Sequence, residues 1–418
     1  MMPDNPVNKA QPHGWIGPLI AIMTLQGAGA FLVQVVPVLA PMLGPALGWP
    51  KSAVGYLAAT TMFGSMVFLL FGVRFMRSRG PIRSVQIGLA LGMAGLACLA
   101  LPTLAAAIVA SLLIGLAYGT PMPAGSQILQ RYAPARHRSL VFSIKQAGVP
   151  MGAAMAGAVL PAVALAFGWP AALGCAIALV GICILGVQPI RRRVDGETLA
   201  GQTEGPSSLR GIAALTEPLA ALRLRPGLPR LALAGGFLAA NQGSWTAFLV
   251  TYLVSVGGFS LSMAGLLFAV MQGAAIAGRL TLGFAADRLG SALRIIQACA
   301  VASGLVAIAI VVAAPHLPGA AVAGLMVLAG IGITGWNGIH LAELAQRAPA
   351  DKVAEVAAGA MVFVMIGLMA GPFITASLIA LTGSFAIAFM CVAALPLSAA
   401  LLLASVATAR AAPQAAPS

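Results

Sequence analysis

Long apolar runs alternate with short polar breaks along the whole chain. A run of about 20 apolar residues is the length that crosses a bilayer as a helix. Twelve such spans can be read, at 15–41, 52–73, 83–101, 103–129, 140–166, 169–188, 230–254, 261–284, 292–313, 319–343, 354–380 and 384–405. The pattern predicts an all-α membrane protein with twelve transmembrane helices. The longest connection, 189–229, is rich in charge, Gly, Pro and Ser, reads as a flexible cytoplasmic linker, and divides the spans six and six. The expected layout is a tail at 1–14, a six-helix bundle at 15–188, the linker, a second six-helix bundle at 230–405 and a tail at 406–418.

Composition agrees with this pattern. The 418 residues are 60% hydrophobic and only 8% charged, where a soluble domain carries about one quarter charged residues. The net charge of +14 would suit a nucleic-acid partner, but the position of the charges excludes that reading. Arg74, Arg77, Arg79, Arg83, Arg131, Arg136, Arg138, Arg191 to Arg193, Arg288, Arg294, Arg347 and Lys352 all fall at one set of alternate span ends; the opposite turns hold Lys51 alone. This is the charge asymmetry of cytoplasmic loops. It places both termini in the cytoplasm, and the abundance of Arg and Ala points to a bacterial inner membrane. The first apolar run is too long for a signal-peptide core and reads as a retained helix. Cys98, Cys175, Cys183, Cys299 and Cys391 lie inside apolar runs without metal spacing and read as small packing residues. No cofactor, metal cluster, nucleophile triad or phosphate loop is legible, so no enzymatic chemistry is expected.

The two halves repeat. "LQRYAPARHRS" at 129–139 matches "AQRAPADKVAE" at 345–355, each between the fourth and fifth spans of its half, and "GWPKSAVGYL" at 48–57 is similar to "GFSLSMAGLL" at 258–267. Internal repeats of this size are typical of secondary transporters. Spans three, six, nine and twelve have almost no polar residue at their middles. Spans one, four, seven and ten carry Gln26 and Gln34; Tyr118; Asn241, Gln242 and Trp245; and Trp336, Asn337 and His340. A polar side chain facing lipid is costly, so these residues are expected to face a cavity.

The stretch "GFAADRLG", with Gly283, Asp287, Arg288 and Gly290, follows the eighth span and resembles the loop motif of the major facilitator superfamily. The resemblance covers the whole chain and implies two pseudo-symmetric six-helix bundles, with the motif taking part in gating. The first-half copy, "GVRFMRSRG", keeps Gly72 and Gly80 but is one residue longer and has no Asp. "QAGVPMGAAMAG" at 146–157 is similar to the family's fifth-helix glycine-proline motif. Ser111 stands where the family's fourth-helix motif begins with arginine, which argues against the proton-coupled drug-efflux branch. The "GR" ending at Arg279, four residues before Gly283, resembles monocarboxylate transporters and oxalate/formate exchangers, in which an arginine of this helix binds the substrate carboxylate.

Read physically, Arg279 lies about 9 Å inside its span's cytoplasmic end and shares a helical face with Gln272. Asp287 is about 12 Å along the axis and roughly 80° around it, too far for a direct bond. No carboxylate occupies the middle of any span, so either the substrate is the missing partner or the arginine is structural. Lys145 sits at a similar depth in the fifth span; it either joins an anion site or snorkels to the cytoplasm. His340 either takes a transported proton or packs helices through a hydrogen bond. Trp245 and Trp336 either frame a substrate or fill the core. The sequence therefore supports a secondary transporter of a small organic anion, coupled to a proton or to an exchanged anion. Efflux of a neutral or amphipathic compound, or a sensor or assembly role on a transporter fold, are the alternatives.

Overall fold

The computed structural model describes residues 14–134, 137–200 and 216–408; Arg136 and the outer parts of both tails lie outside that range. Eleven helices in it are long and apolar enough to cross a membrane. The twelfth, Leu228–Ser255, has 28 residues and falls in place as the seventh span. In chain order the spans are α1 Ile16–Leu47, α2 Ala53–Phe71, α3 Pro81–Cys98, α4 Leu104–Tyr132, α5 Leu140–Phe167, α6 Trp169–Gly186, α7 Leu228–Ser255, α8 Leu261–Leu289, α9 Ala292–Ala313, α10 Gly319–Arg347, α11 Val353–Thr382 and α12 Phe385–Thr408. The protein is an all-helical, multi-pass membrane protein.

Local signals set the helix ends. Thr103, Ser260 and Ser291 cap α4, α8 and α9 by accepting a bond from the backbone N–H three residues on. Gly48 and Gly290 end α1 and α8 in the left-handed conformation, at φ 67° and 61°, where a side chain would be strained.

Close glycine contacts hold each bundle together, and they repeat between halves. A Cβ on Gly152 of α5 would lie 2.0 Å from the Gly27 carbonyl of α1; one on Gly367 of α11 would lie 2.1 Å from the Gly236 carbonyl of α7. Likewise a Cβ on Gly115 of α4 would meet the Thr61 carbonyl of α2 at 2.1 Å, and one on Gly330 of α10 the Met271 carbonyl of α8 at 2.2 Å. Small residues let backbones approach where lipid offers no hydrophobic drive to associate. Equivalent helix pairs, α1/α5 with α7/α11 and α2/α4 with α8/α10, thus use the same device.

The halves meet through α5 against α8 and α2 against α11. Cβ atoms on Gly157 and Gly265 would each fall within 2.6 Å of the other's carbonyl oxygen. Tyr56 of α2 pairs with the Ser377 hydroxyl at 3.2 Å and packs edge-on against Phe373. These contacts lie toward the ends joined by the turns that lack arginine.

The segment expected to be a flexible linker contains two helices among its described residues, Gln188–Ala200 and Thr216–Ala221, with turns and bends at 222–227. Asp195 accepts bonds from the backbone N–H groups of Ile82 and Arg83, at 2.8 and 3.0 Å, and so caps α3 from another helix. Glu197 accepts the Tyr132 hydroxyl at the end of α4 and pairs with Arg193. The start of the connection is therefore fastened to the first bundle, which its charge and glycine content did not indicate.

Candidate functional site

Four of the spans that border the interface between halves carry a proline; α4 and α5 are interrupted beside theirs, at Thr120 and Ala147, while α1 and α11 stay helical through theirs. Proline lacks an N–H, so the carbonyl four residues earlier loses its regular helical partner. In α1, Pro37 does this to Val33. In α5, Pro150 does it to Gln146. In α11, Pro372 does it to Leu368. In α4, Pro121 does it to Ala117, whose carbonyl is taken up by the Thr120 hydroxyl at 2.7 Å. The tenth span is broken differently, by a π-helical turn at Gly330–Thr334. Discontinuous helices at mid-membrane commonly form transport sites, and single π turns often mark functional positions.

These positions surround a cavity of about 100 Å³ between the halves, lined in part by Gln34, Pro37, Tyr118, Pro150, Gln242, Gln272, Arg279 and Pro372. Of the residues singled out from the sequence, Arg279, Gln272, Gln34, Tyr118 and Gln242 line it. Arg279 donates from Nη1 to the Gln146 carbonyl at 3.0 Å, across the interface between halves. Its Nε is buried with no partner, and no carboxylate among the described residues pairs with it. Helix α8 runs on to Leu289, so Arg279 lies ten residues, about 15 Å, from the helix end, deeper than expected.

Gln242 has a fixed orientation. Its Oε1 accepts from Trp336 Nε1 at 3.1 Å and from Asn337 Nδ2 at 3.3 Å. An indole N–H can only donate, so the amide oxygen must face it. The Nε2 end of Gln242, at the cavity, makes no hydrogen bond among the described residues. Trp336 and Asn337 themselves stand behind this wall. Each also donates to a carbonyl of the π turn, Ile333 and Thr334 respectively.

The remaining candidates lie elsewhere. Lys145 is buried within the first bundle, outside the cavity lining, and so does not snorkel to the surface. Its Nζ donates to Gln146 Oε1 at 3.4 Å, and the same oxygen accepts from Gln26 Nε2 at 3.0 Å. Gln146 therefore touches Lys145 through its side chain and Arg279 through its backbone. Asn241 turns to Ser303 of α9, donating at 3.0 Å. Trp245 stacks on Phe389 of α12, centroids 4.1 Å apart. His340 shares a bond of 2.9 Å with the Leu231 carbonyl, and Gly235 gives its ring room. All three fasten helices within the second bundle.

The motif residues sit at the arginine-rich end of α8. Asp287 is exposed and forms no ion pair among the described residues, Arg288 lies over the Phe284 ring at 4.8 Å, and a Cβ at Gly283 or Gly290 would meet open space. Two residues important to the geometry lie in the glycine-proline stretch noted at 146–157 but were given no role at the site: Gln146, which anchors Arg279, and Pro150, which frees its carbonyl. The signal for them was present, as the four-residue spacing in "QAGVP".

Residues 19–372 match the sequence model of the Major Facilitator Superfamily. Two proteins of Mycobacterium tuberculosis strains, each described as an uncharacterized MFS-type transporter, are 28% identical over 290 residues, 66% of this chain and 60% of theirs. The chain thus spans less than two thirds of the length of these relatives. Among solved structures, the nucleoside transporter NupG is similar at a TM-score of 0.73 and 14% identity, covering 93% of this chain and 98% of that one. A bacterial homolog of the human lysosomal transporter Spinster, inward-facing and occupied, gives 0.70 at 15% identity, covering 93% and 96%. The peptide transporter POT in complex with sulfate gives 0.69 at 16%, covering 94% of each chain. At these identities the likeness is one of fold.

Proposed function

Because this chain belongs to the major facilitator superfamily, we propose that it is a secondary transporter carrying a small organic carboxylate through the cavity around Arg279 by alternating access. The observation that carries this reading is the state of Arg279. It is a guanidinium deep in a membrane helix, at a cavity wall, with a buried Nε that has no partner. Intramembrane charges are costly and mark substrate pathways by default. A planar carboxylate satisfies such a group through two parallel bonds. Gln242 adds an oriented N–H donor, and Gln34, Gln272 and Tyr118 complete a polar wall. Lys145 adds positive charge from behind Gln146 and does not contact the substrate. The cavity's volume, about 100 Å³, exceeds the space that one water needs, so a small anion can be accommodated.

In this reading the bundles 15–188 and 230–405 rock about the cavity in a bacterial inner membrane, and both termini are cytoplasmic. Gly283, Asp287, Arg288 and Gly290 take part in gating at the cytoplasmic end, and the coupling partner is a proton or an exchanged anion. Binding shifts the equilibrium between the two access states through contacts that differ between them.

The test is a thermal-shift and uptake screen against acetate, lactate, pyruvate and oxalate, since a ligand of the native state raises apparent stability. Arg279→Ala is expected to insert normally and to lose the response. Arg279→Lys is expected to lose ten- to a hundredfold in affinity, because an ammonium cannot replace a fork whose bonds contribute about 1.5–3 kcal/mol each. Wild-type transport by the alanine variant sinks the anion reading. Full rescue by lysine shows that a point charge suffices.

A further inference from the structure

We propose that Pro150 is a positioning residue for Arg279: by leaving the Gln146 carbonyl without its helical donor, it supplies the acceptor that holds Nη1 and leaves the Nε–Nη2 edge for the substrate. The inference rests on the anion reading above. In a regular helix the Gln146 carbonyl accepts from the N–H of residue 150. Residue 150 is a proline and has none. The freed carbonyl points across the interface and takes Arg279 Nη1 at 3.0 Å. A guanidinium offers two parallel forks, one from its two Nη groups and one from Nε with Nη2. A bond from Nη1 to the protein leaves the Nε–Nη2 fork whole. Nε is the donor found buried without a partner. The carboxylate is therefore gripped from the side of the guanidinium, while the backbone of α5 fixes its tilt.

The side chain of Gln146 is committed to Gln26 and Lys145, so this chain of bonds ties the carbonyl's position to α1 as well. Recognition is thus split between halves. The second bundle supplies the cation, and the first aims it. Any movement of α5 against α8 changes the aim, which joins binding to the rocking of the bundles.

Pro150→Ala restores the N–H and favours a regular helix, so the variant is expected to fold at least as well as the parent. Pro150 also lines the cavity, so a simple loss of affinity would not separate aiming from contact. The experiment is a double-mutant cycle on the carboxylate that wild type binds best among acetate, lactate, pyruvate and oxalate. In the wild-type background Pro150→Ala is expected to weaken binding about tenfold, the weight of one bond to a charged group. In the Arg279→Lys background, where no fork remains to aim, the same change is expected to cost less than twofold. An equal loss in both backgrounds, or none in the first, overturns the positioning role and leaves the anion site standing. Wild-type binding by Arg279→Ala, or no binding of any of the four acids by wild type, removes the anion site and this inference with it.

Discussion

The residues that matter most are those whose bonding leaves one group uncommitted. Gln242 is such a case. Trp336 and Asn337 hold its oxygen, so its amide N–H groups are left for the cavity. Gln242→Glu keeps an acceptor for both neighbours but replaces that donor with a second oxygen. A carboxylate there repels an anion and offers Arg279 a competing partner, so anion affinity is expected to fall tenfold or more. Gln242→Leu, which adds no charge, is expected to cost less. If the glutamate variant binds as well as wild type, the amide does not face the substrate. His340 is the opposite case. Its Nε2 meets a carbonyl, which can only accept, so Nε2 carries a proton and donates it to Leu231, which holds the ring in place. His340→Asn is expected to lower stability by about 0.5–1.5 kcal/mol, the net worth of a hydrogen bond, while leaving the pH profile of uptake unchanged. A shifted profile would return the histidine to the transport path.

At the scale of elements, the helix Gln188–Ala200 is held on the first bundle by Asp195, which caps α3 through two backbone N–H groups. Asp195→Ala removes both bonds and is expected to cost about 1–2 kcal/mol in thermal unfolding. Burial raises the Asp195 carboxyl above the ordinary carboxylate range, against the pull of the Ile82 and Arg83 N–H groups. A carboxyl raised in this way binds its proton more tightly folded than unfolded. Its contribution therefore weakens as pH rises from the unfolded value through the folded one. Asp195→Asn is expected to flatten that slope, and an unchanged slope would assign it to another group. The spans themselves were legible because apolar length and polar punctuation are local signals. Which face of a polar span meets the cavity was not. Asn241 and Gln242 are neighbours, about 100° apart around α7, and only one can face inward. The structure sends Asn241 to Ser303 and Gln242 to the cavity. Trp336, Asn337 and His340 likewise reach the wall or the packing core according to the π turn before them, whose geometry no periodicity encodes. Arg279 and Gln272 were read together because seven residues bring a helix back to one face. Lys145 was harder, because depth along a helix is visible in sequence and rotation toward a neighbour is not.

On the scale of the whole molecule, alternating access requires a contact between halves that can be made and broken. Helices α5 and α8 touch on both sides of the cavity. On one side the backbones of Gly157 and Gly265 meet; about 16 Å further along α5, Gln146 holds Arg279. If basic loops are cytoplasmic, the glycine contact closes the periplasmic side. A cysteine at Arg192 is then expected to react with an impermeant thiol reagent in inside-out vesicles and not in intact cells; the reverse would invert the orientation. The glycine contact leaves no room for a side chain, since a Cβ at Gly265 would sit 2.4 Å from the Gly157 carbonyl. Gly265→Leu must therefore wedge α5 from α8 at that end. Interfaces of this kind are bistable rather than gradually deformable, so the wedge is expected to favour the opposite access state and not a slightly wider version of this one. Uptake is expected to fall by at least tenfold, because a carrier held on one side cannot complete its cycle. Binding is expected to persist, because the wedge lies about 21 Å along α8 from Arg279. The measurement pairs uptake with the accessibility of a cysteine at Ala153, a cavity-lining position, in a background lacking the native cysteines. Increased labelling from the periplasmic side, with ligand binding retained, supports this contact as the periplasmic gate. Normal uptake by a fully inserted leucine variant would show that α5 and α8 do not have to close there, and that the rocking axis lies elsewhere.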